Sequence, residues 1–295
     1  MTFDKEKMKA AFLQQIKLAA TSLPQETEKA LILARDSEEK GSVAENIFIQ
    51  LLENVEVARD QAIPICQDTG THIHYIYYPV GMREADIKEA VIEATKEATA
   101  KTYLRPNAVD PVTGKNSGNN IGTKNPQFHF HQWDNDYILG KLMLKGGGSE
   151  NVSTQYKLPD TKLHAGRDLE GVRKVIIDAV RNAQGMGCAP GVLGIGVGGD
   201  RGSSFITAKE QLFRDLFDES DNKEVAELEK RLFKEINTLG IGPMGFGGNT
   251  TVMGVKIGMA HRVPASFFVS IAYMCWAYRK ASVTIRPDGT VEYKN

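Results

Sequence analysis

The chain has 295 residues, of which 41% are hydrophobic and 25% charged, the balance of an ordinary globular protein. Its formal net charge of −1 at pH 7 excludes the large basic excess that marks nucleic-acid-binding proteins. The N-terminus carries charged residues on both sides of its first apolar groups. It therefore predicts neither a signal peptide nor a membrane anchor.

The first sixty residues are predicted to be helical. Apolar residues recur at helical spacing in three segments there, residues 8–20, 22–36 and 42–61. Ser22 and Gln25 form a capping-box pattern at the start of the second segment. A strand over 72–80 and a helix over 83–101 follow, and then a polar, turn-rich stretch over 105–126. Connections of that length are uncommon in compact domains, so we expect this loop to be functional or mobile.

The second half of the chain alternates strand and helix. Strands are predicted at 127–132, 137–145, 191–200, 250–260, 267–273 and 281–293, and helices at 168–184, 204–217 and 223–238. The alternation predicts a mixed α/β fold, in which a helical start over 1–60 precedes alternating helices and a mixed sheet in two closely joined lobes. No repeat or linker divides the chain, so we treat 1–295 as one domain.

Residues 194–199, GIGVGG, match the G-x-G-x-x-G fingerprint of dinucleotide-binding proteins. In those proteins the glycines follow a complete strand and open a helix. Here they lie within the apolar run that must itself form the strand. The pattern favours a glycine-rich strand packed closely against a neighbour, and an NAD-dependent oxidoreductase is the rival interpretation.

Two pairs of histidines alternate with other residues at strand spacing. His129 and His131 form one pair and His72 and His74 the other, so each pair lies on one face of a strand. No carboxylate or third histidine stands at ligand spacing near them. We interpret both pairs as polar strand faces, with substrate contact and metal binding as the alternatives.

The chain has three cysteines, Cys66, Cys188 and Cys275. Their odd number and wide spacing argue against a disulfide framework and predict a reducing, cytoplasmic location. A cysteine considered alone is most often a buried, inert thiol. Each of these three, however, sits at an element boundary beside glycine, proline or polar residues. Three converging thiolates suit a [4Fe–4S] cluster with one iron that lacks a protein ligand, because such clusters are normally held by four cysteines.

Six segments carry a resemblance to a known family. They are CQDTGT at 66–71, TYLRPNAV at 102–109, KGGGSEN at 145–151, GCAPGVLGIGVGG at 187–199, LGIGPMGFGGNT at 239–250 and CWAYRKA at 275–281. Together they resemble the N-terminal domain, or α subunit, of the iron–sulfur hydro-lyases, which are the class I fumarases and the closely similar L-tartrate dehydratases. The resemblance covers nearly the whole chain from about residue 61 onward.

The resemblance implies a metal site and the first substrate contacts. Cys66, Cys188 and Cys275 would ligate a [4Fe–4S] cluster enclosed by the two lobes. Gln67 and Asp68, next to the first cysteine, would contact the substrate. The Asp68 carboxylate would also take part in proton transfer as a catalytic residue.

Further substrate contacts are implied by two other segments. Arg105 would bind a substrate carboxylate through the planar pair of donors that a guanidinium offers. Gly147 and Gly148 would let backbone N–H groups approach an anion, because no side chain stands in the way.

The segment before the third cysteine departs from the family pattern. Many members have a histidine just before the Pro/Ala-Ser segment, whereas this chain has Val263 there, in HRVPAS. His261 lies two residues earlier. We name His261 as a second candidate catalytic residue, with a purely structural histidine as the alternative.

The implied function is part of an oxygen-sensitive fumarate hydratase of the tricarboxylic acid cycle, with the open iron as a Lewis acid. L-Tartrate dehydratase is the alternative, and a non-enzymatic subunit is a further one. The family's remaining substrate-binding residues lie in a C-terminal domain or β subunit outside this sequence. We therefore expect a C4 dicarboxylate substrate, a second polypeptide or domain, a dimeric assembly and no hydratase activity of the chain alone.

Overall fold

Helices and strands alternate along residues 3–295, the part of the chain that the computed structural model describes, and confirm the mixed α/β fold. The helices are α1 (Lys5–Thr21), α2 (Gln25–Ser37), α3 (Val43–Gln61), α4 (Glu84–Ala100), α5 (Gly147–Asn151), α6 (Leu169–Ala183), α7 (Arg201–Gln211) and α8 (Lys223–Asn237). The strands are β1 (Thr71–Pro79), β2 (Gln127–Trp133), β3 (Ile138–Lys145), β4 (Thr154–Lys157), β5 (Gly191–Gly198), β6 (Val252–Ala260), β7 (Phe268–Met274), β8 (Lys280–Ile285) and β9 (Val291–Lys294). Within these residues no helix combines the length and the apolar character needed to cross a lipid bilayer.

The chain divides into two compact units, each made of separate stretches of sequence. The first unit contains the residues up to Gln25, Glu53–Gly147 and Arg279–Asn295. The second contains Glu26–Leu52 and Gly148–Tyr278. The predicted helical start is therefore helical but does not form a unit of its own, because α1 belongs to the first unit and α2 almost entirely to the second.

The first unit is built on a five-stranded mixed sheet of order β2-β1-β3-β8-β9. Strand β1 is parallel to β2 and antiparallel to β3. The apolar face of α1, which includes Phe12 and Ile16, joins the core that covers the sheet. Between them on α1, the buried Gln15 amide donates to the backbone oxygens of Gly140 (2.8 Å) and Ala281 (2.9 Å). These bonds fix α1 on β3 and β8.

The second unit is built on a four-stranded sheet of order β4-β7-β5-β6, in which β5 is parallel to β6 and antiparallel to β7. Its core is formed with the helices α6 and α8. Glycines let α7 lie directly on β5, since a Cβ at Gly194 or Gly196 would lie 2.1 or 2.0 Å from the backbone oxygens of Ala208 or Ser204. These glycines of the GIGVGG segment are thus packing residues within a strand.

The structure differs from the predicted elements at their boundaries. Helix α7 begins at Arg201, before the predicted residue 204, because Asp200 caps it by accepting from the backbone N–H groups of Gly202 and Ser203. Ser22 ends α1 rather than capping α2, since its backbone N–H donates to the Leu18 oxygen. The short elements α5 and β4 were not predicted, because four or five residues carry too little periodicity.

Candidate functional site

The Asp68 side chain closes a turn between α3 and β1. Its Oδ1 accepts from the Gly70 backbone N–H at 2.9 Å, and its Oδ2 accepts from the Gly147 backbone N–H at 2.6 Å. Gly147 is the first residue of the short helix α5, so the carboxylate also caps that helix. The two bonds hold the CQDTGT and KGGGSEN segments together, although 79 residues separate Asp68 from Gly147.

The next residue along the turn fixes the backbone of Arg105. The buried Thr69 hydroxyl donates to the Arg105 oxygen at 2.7 Å and accepts from the Arg105 N–H at 2.9 Å. The buried Asn120 amide donates to the same oxygen at 2.9 Å. The backbone of Arg105 is therefore rigid, while its side chain is exposed and pairs with no described residue. Gln67 is likewise exposed, next to Asp68.

Glycine is necessary at only some of the glycine positions in this region. Gly70 has φ +78°, and a Cβ there would lie 2.7 Å from the Lys145 carbonyl carbon, so only glycine fits. Gly147 and Gly148 are exposed, and a Cβ at either would meet its nearest atom at 3.6 Å, which is ordinary contact. The Gly147 N–H, expected to face a substrate, is engaged by Asp68 in this structure.

Cys188 and Cys275 lie at the same end of the second sheet. Cys188 occupies the turn before β5 with φ +56°, and Cys275 directly follows β7, which runs antiparallel to β5. The backbone N–H of Trp276 donates to the Cys188 oxygen at 3.1 Å, which ties the two cysteine-bearing segments together. Cys188 is exposed and Cys275 buried.

Tyr273 stands beside both of these cysteines. Its ring occupies the space next to Gly187 and Gly191, where a Cβ would lie 2.5 or 2.4 Å from it. Burial, together with the nearby Cys275 and Cys188, raises the pKa of the Tyr273 hydroxyl above its usual range. That hydroxyl is enclosed and makes no hydrogen bond with any described residue.

Cys66 belongs to the first unit, where its sulfur lies 3.4 Å from the Asp68 backbone nitrogen and accepts from it. All three cysteines are thiols rather than disulfides. Among residues 3–295, no group of three or more histidine, cysteine, aspartate or glutamate side chains is assembled as a metal site. The donor set nevertheless suits iron–sulfur chemistry, since it consists of thiols at turns without competing carboxylate or imidazole ligands.

His261 lies away from the cysteines of its own unit. It follows the last residue of β6, Ala260, which pairs with Gly198 at the far end of β5. Cys188 and Cys275 flank the opposite end of β5, near Gly191. Seven steps of about 3.3 Å along β5 separate those ends by roughly 20 Å. The structure does not bring His261 to Cys188 or Cys275, because strand β7 lies between His261 and Cys275 in the sequence and spans the length of the sheet.

A model of the family described as fumarate hydratase (Fumerase) matches residues 9–284. The chain belongs to the fumarate hydratase (Fumerase) family. It is 46% identical over 286 residues to a Geobacillus stearothermophilus protein provisionally named class I fumarate hydratase, covering 96% of this chain and 56% of that protein. The chain thus spans little more than half the length of that relative.

Two further relatives have lengths closer to that of this Fumerase-family chain. A Methanocaldococcus jannaschii protein, provisionally named the α subunit of L(+)-tartrate dehydratase, is 34% identical over 92% of this chain and 94% of its own. The L(+)-tartrate dehydratase α subunit of Escherichia coli K12 is 30% identical over 93% of this chain and 89% of its own. The family therefore includes relatives named for two different substrates.

A buried basic cluster in this Fumerase-family chain was not predicted from the sequence. His72 and His74 on β1 are 1% and 0% exposed, so the polar strand face that they form is buried. Both lie on the face of β1 that also carries Ile76 and Tyr78, which belong to the core packed on the sheet. Arg279, within the CWAYRKA segment, is 1% exposed. No pattern in the sequence separates such a buried arginine from a surface one. His129 and His131, by contrast, stack on Tyr75 and Tyr77 of the neighbouring strand.

The two buried histidines predict a loss of stability in mild acid. Burial, assisted by the Arg279 charge, lowers the pKa of His72 to about 4, and burial next to His72 lowers the pKa of His74 to about 3. In the unfolded chain both pKa values return to about 6.5. Between pH 6.5 and 4 the unfolded state therefore binds protons that the folded state does not, and each histidine removes up to about 1.4 kcal/mol of unfolding free energy per pH unit.

Urea unfolding at pH 7, 6 and 5 measures this slope of the unfolding free energy against pH. We expect the double substitution His72→Leu and His74→Leu to flatten it, because leucine does not titrate. Leucine also suits the apolar neighbours Leu144 and Leu142 on β3. His164→Leu, at an exposed position, is the matched control and should keep the wild-type slope. An unchanged slope in the double variant would show that the acid sensitivity arises elsewhere.

Proposed function

We propose that this chain provides the cluster-ligating part of an iron–sulfur hydro-lyase that interconverts fumarate and malate. The observation that carries the proposal is the turn at Asp68, whose backbone N–H donates to the Cys66 sulfur and whose carboxylate accepts from the N–H groups of Gly70 and Gly147. Family membership and the 46% identity to a relative named class I fumarate hydratase support the same conclusion.

Some residues of the chain would bind the substrate, and one would transfer a proton. Arg105, whose backbone is held by Thr69, would bind a substrate carboxylate with its exposed guanidinium. Gln67 would hydrogen-bond the substrate beside it. Asp68 would move the proton, since its carboxylate is held in place and is partly exposed. Gly147 and Gly148 would leave room for the substrate above α5. We assign no role to His261.

Cys66, Cys188 and Cys275 would hold a [4Fe–4S] cluster. When bound, such a cluster supplies a Lewis-acidic iron that polarises a carboxylate and a departing hydroxyl. The Trp276–Cys188 hydrogen bond supports this assignment for two of the ligands, because it keeps their turns adjacent. Three thiols without disulfides also support a reducing compartment such as the cytoplasm.

L(+)-Tartrate is the second candidate substrate. Relatives that share 34% and 30% of their residues with this chain are named as tartrate dehydratase α subunits. Fumarate is favoured because the higher identity is to a relative named fumarate hydratase. The name "α subunit" also supports a second polypeptide or domain as a partner, in an assembly that supplies the remaining substrate contacts.

Anaerobic reconstitution with iron and sulfide tests the proposal. We expect about four irons per chain, by analogy with cubane clusters, and hydration of fumarate at a higher kcat/KM than dehydration of tartrate once the partner is present. The chain alone should bind iron without turning over, and exposure to air should remove iron. Fewer than about three irons per chain, or tight binding of NAD in a titration, would contradict the proposal.

A further inference from the structure

The Arg279 guanidinium is a buried positive charge that forms no ion pair with a described residue of its unit. The side chain is 1% exposed, its Nε makes no hydrogen bond, and no described carboxylate forms an ion pair with it. Its backbone is fixed, because the Leu144 N–H donates to the Arg279 oxygen at 3.0 Å. Burying a charge is costly unless an anion and hydrogen bonds compensate it. The position therefore calls for an anion that binds there.

Two further basic side chains, those of His72 and Lys145, are buried in the same unit as Arg279. His72, 1% exposed and with neither ring nitrogen hydrogen-bonded, lies close enough for the Arg279 charge to help lower its pKa. Lys145, at the end of β3, is fully buried as well. A buried guanidinium attracts an anion strongly, because little water screens its charge.

Arg279 and Asp68 converge on the same glycine. A Cβ at Gly146 would lie 3.1 Å from Asp68 Oδ2 and 3.8 Å from Arg279 Nη2. The two groups nevertheless form no ion pair, and both Asp68 oxygens already accept from backbone N–H groups. The absence of a side chain at Gly146 thus leaves a carboxylate and a guanidinium facing one point.

A 2-hydroxy carboxylate matches this pair of groups. Its carboxylate is an acceptor for the planar guanidinium, and its hydroxyl is a donor for the Asp68 carboxylate. We propose that Arg279 is a further substrate-binding residue, whose buried guanidinium binds the carboxylate next to the hydroxyl-bearing carbon of the substrate. This assignment rests on the proposed hydro-lyase function, and it leaves Arg105 to bind the second carboxylate of a C4 dicarboxylate.

The substitution Arg279→Met tests the assignment in the reconstituted full assembly. In the substrate-free protein the Arg279 charge has no ion-pair partner, and methionine removes that charge. The melting temperature without substrate should therefore stay unchanged or rise. The increase in melting temperature caused by L-malate should disappear, and KM for malate should rise at least about tenfold, the loss expected for a hydrogen bond to a charged group. Arg286→Met, at a partly exposed arginine of the same unit, is the matched control and should keep the malate effect.

A purely structural arginine gives the opposite result. Arg279→Met would then lower the melting temperature and leave the malate-induced shift and KM unchanged, which would overturn the proposal. If the methionine variant does not fold, Arg279→Lys decides, because lysine keeps the charge but not the two-pronged donor set. A raised KM with a wild-type circular dichroism spectrum supports the proposal, and a wild-type KM overturns it. A wild-type assembly without hydratase activity would instead refute the proposed function.

Discussion

Replacing Asp68 with asparagine is expected to lower kcat for fumarate hydration by about 10²–10⁴-fold in the reconstituted assembly. An amide of nearly the same shape cannot accept a proton as a carboxylate does. Asparagine can also accept only one of the two backbone N–H groups, those of Gly70 and Gly147, through its oxygen. Its NH₂ group faces the other donor, so we expect a loss of about 1 kcal/mol of unfolding free energy as well.

A matched control separates the catalytic effect from the structural one. Asp110, in the loop that follows Arg105, also accepts from two backbone N–H groups, those of Val112 at 3.1 Å and Thr113 at 2.7 Å. Both bonds end on Asp110 Oδ1, so Asp110→Asn can keep them through its amide oxygen. It should cost less stability than Asp68→Asn and leave kcat unchanged. If Asp68→Asn keeps kcat within about threefold of wild type, well short of general acid–base magnitudes, Asp68 is only the cap of α5.

The long elements of the fold could be predicted because each carries its own periodicity. The apolar spacing of α1 and the alternation in β1 are local properties of the sequence. The burial of His72 and His74 was missed for the opposite reason. Strand alternation places both on one face but does not reveal which elements cover that face, and here tertiary packing encloses it.

In the candidate site, too, residues within one motif could be predicted, whereas contacts between distant segments could not. Cys66, Gln67 and Asp68 are contiguous, so one motif names all three. The bond from Asp68 to Gly147 joins residues 79 apart and is set by the pairing of β1 with β3. Arg279 stands in a recognisable segment, yet its burial depends on that sheet. His261 was named as a candidate catalytic residue, and β7 separates it from Cys275 by the length of the sheet.

Replacing Cys188 with serine is expected to abolish stable cluster binding. A serine hydroxyl is a poor iron ligand compared with a thiolate, so iron content after anaerobic reconstitution should fall well below that of wild type, and fumarate hydration should be lost. The fold should persist, because Cys188 is exposed and the Trp276 bond is made by its backbone oxygen. We expect a change in unfolding free energy within about 0.5 kcal/mol.

Met186→Ser is the matched control for this experiment. Met186 lies in the same turn, is 66% exposed and keeps all three thiols in place when changed. It should retain wild-type iron, whereas Cys188→Ser should not, and both should melt at similar temperatures. Wild-type iron content in Cys188→Ser would contradict the role of Cys188 as a ligand. The Cys188 and Cys275 turns would then lie side by side only to pack around Tyr273, since the hydrogen bond that joins them does not involve either sulfur. If Cys188→Ser loses iron and Met186→Ser does not, Cys188 is a ligand of the cluster.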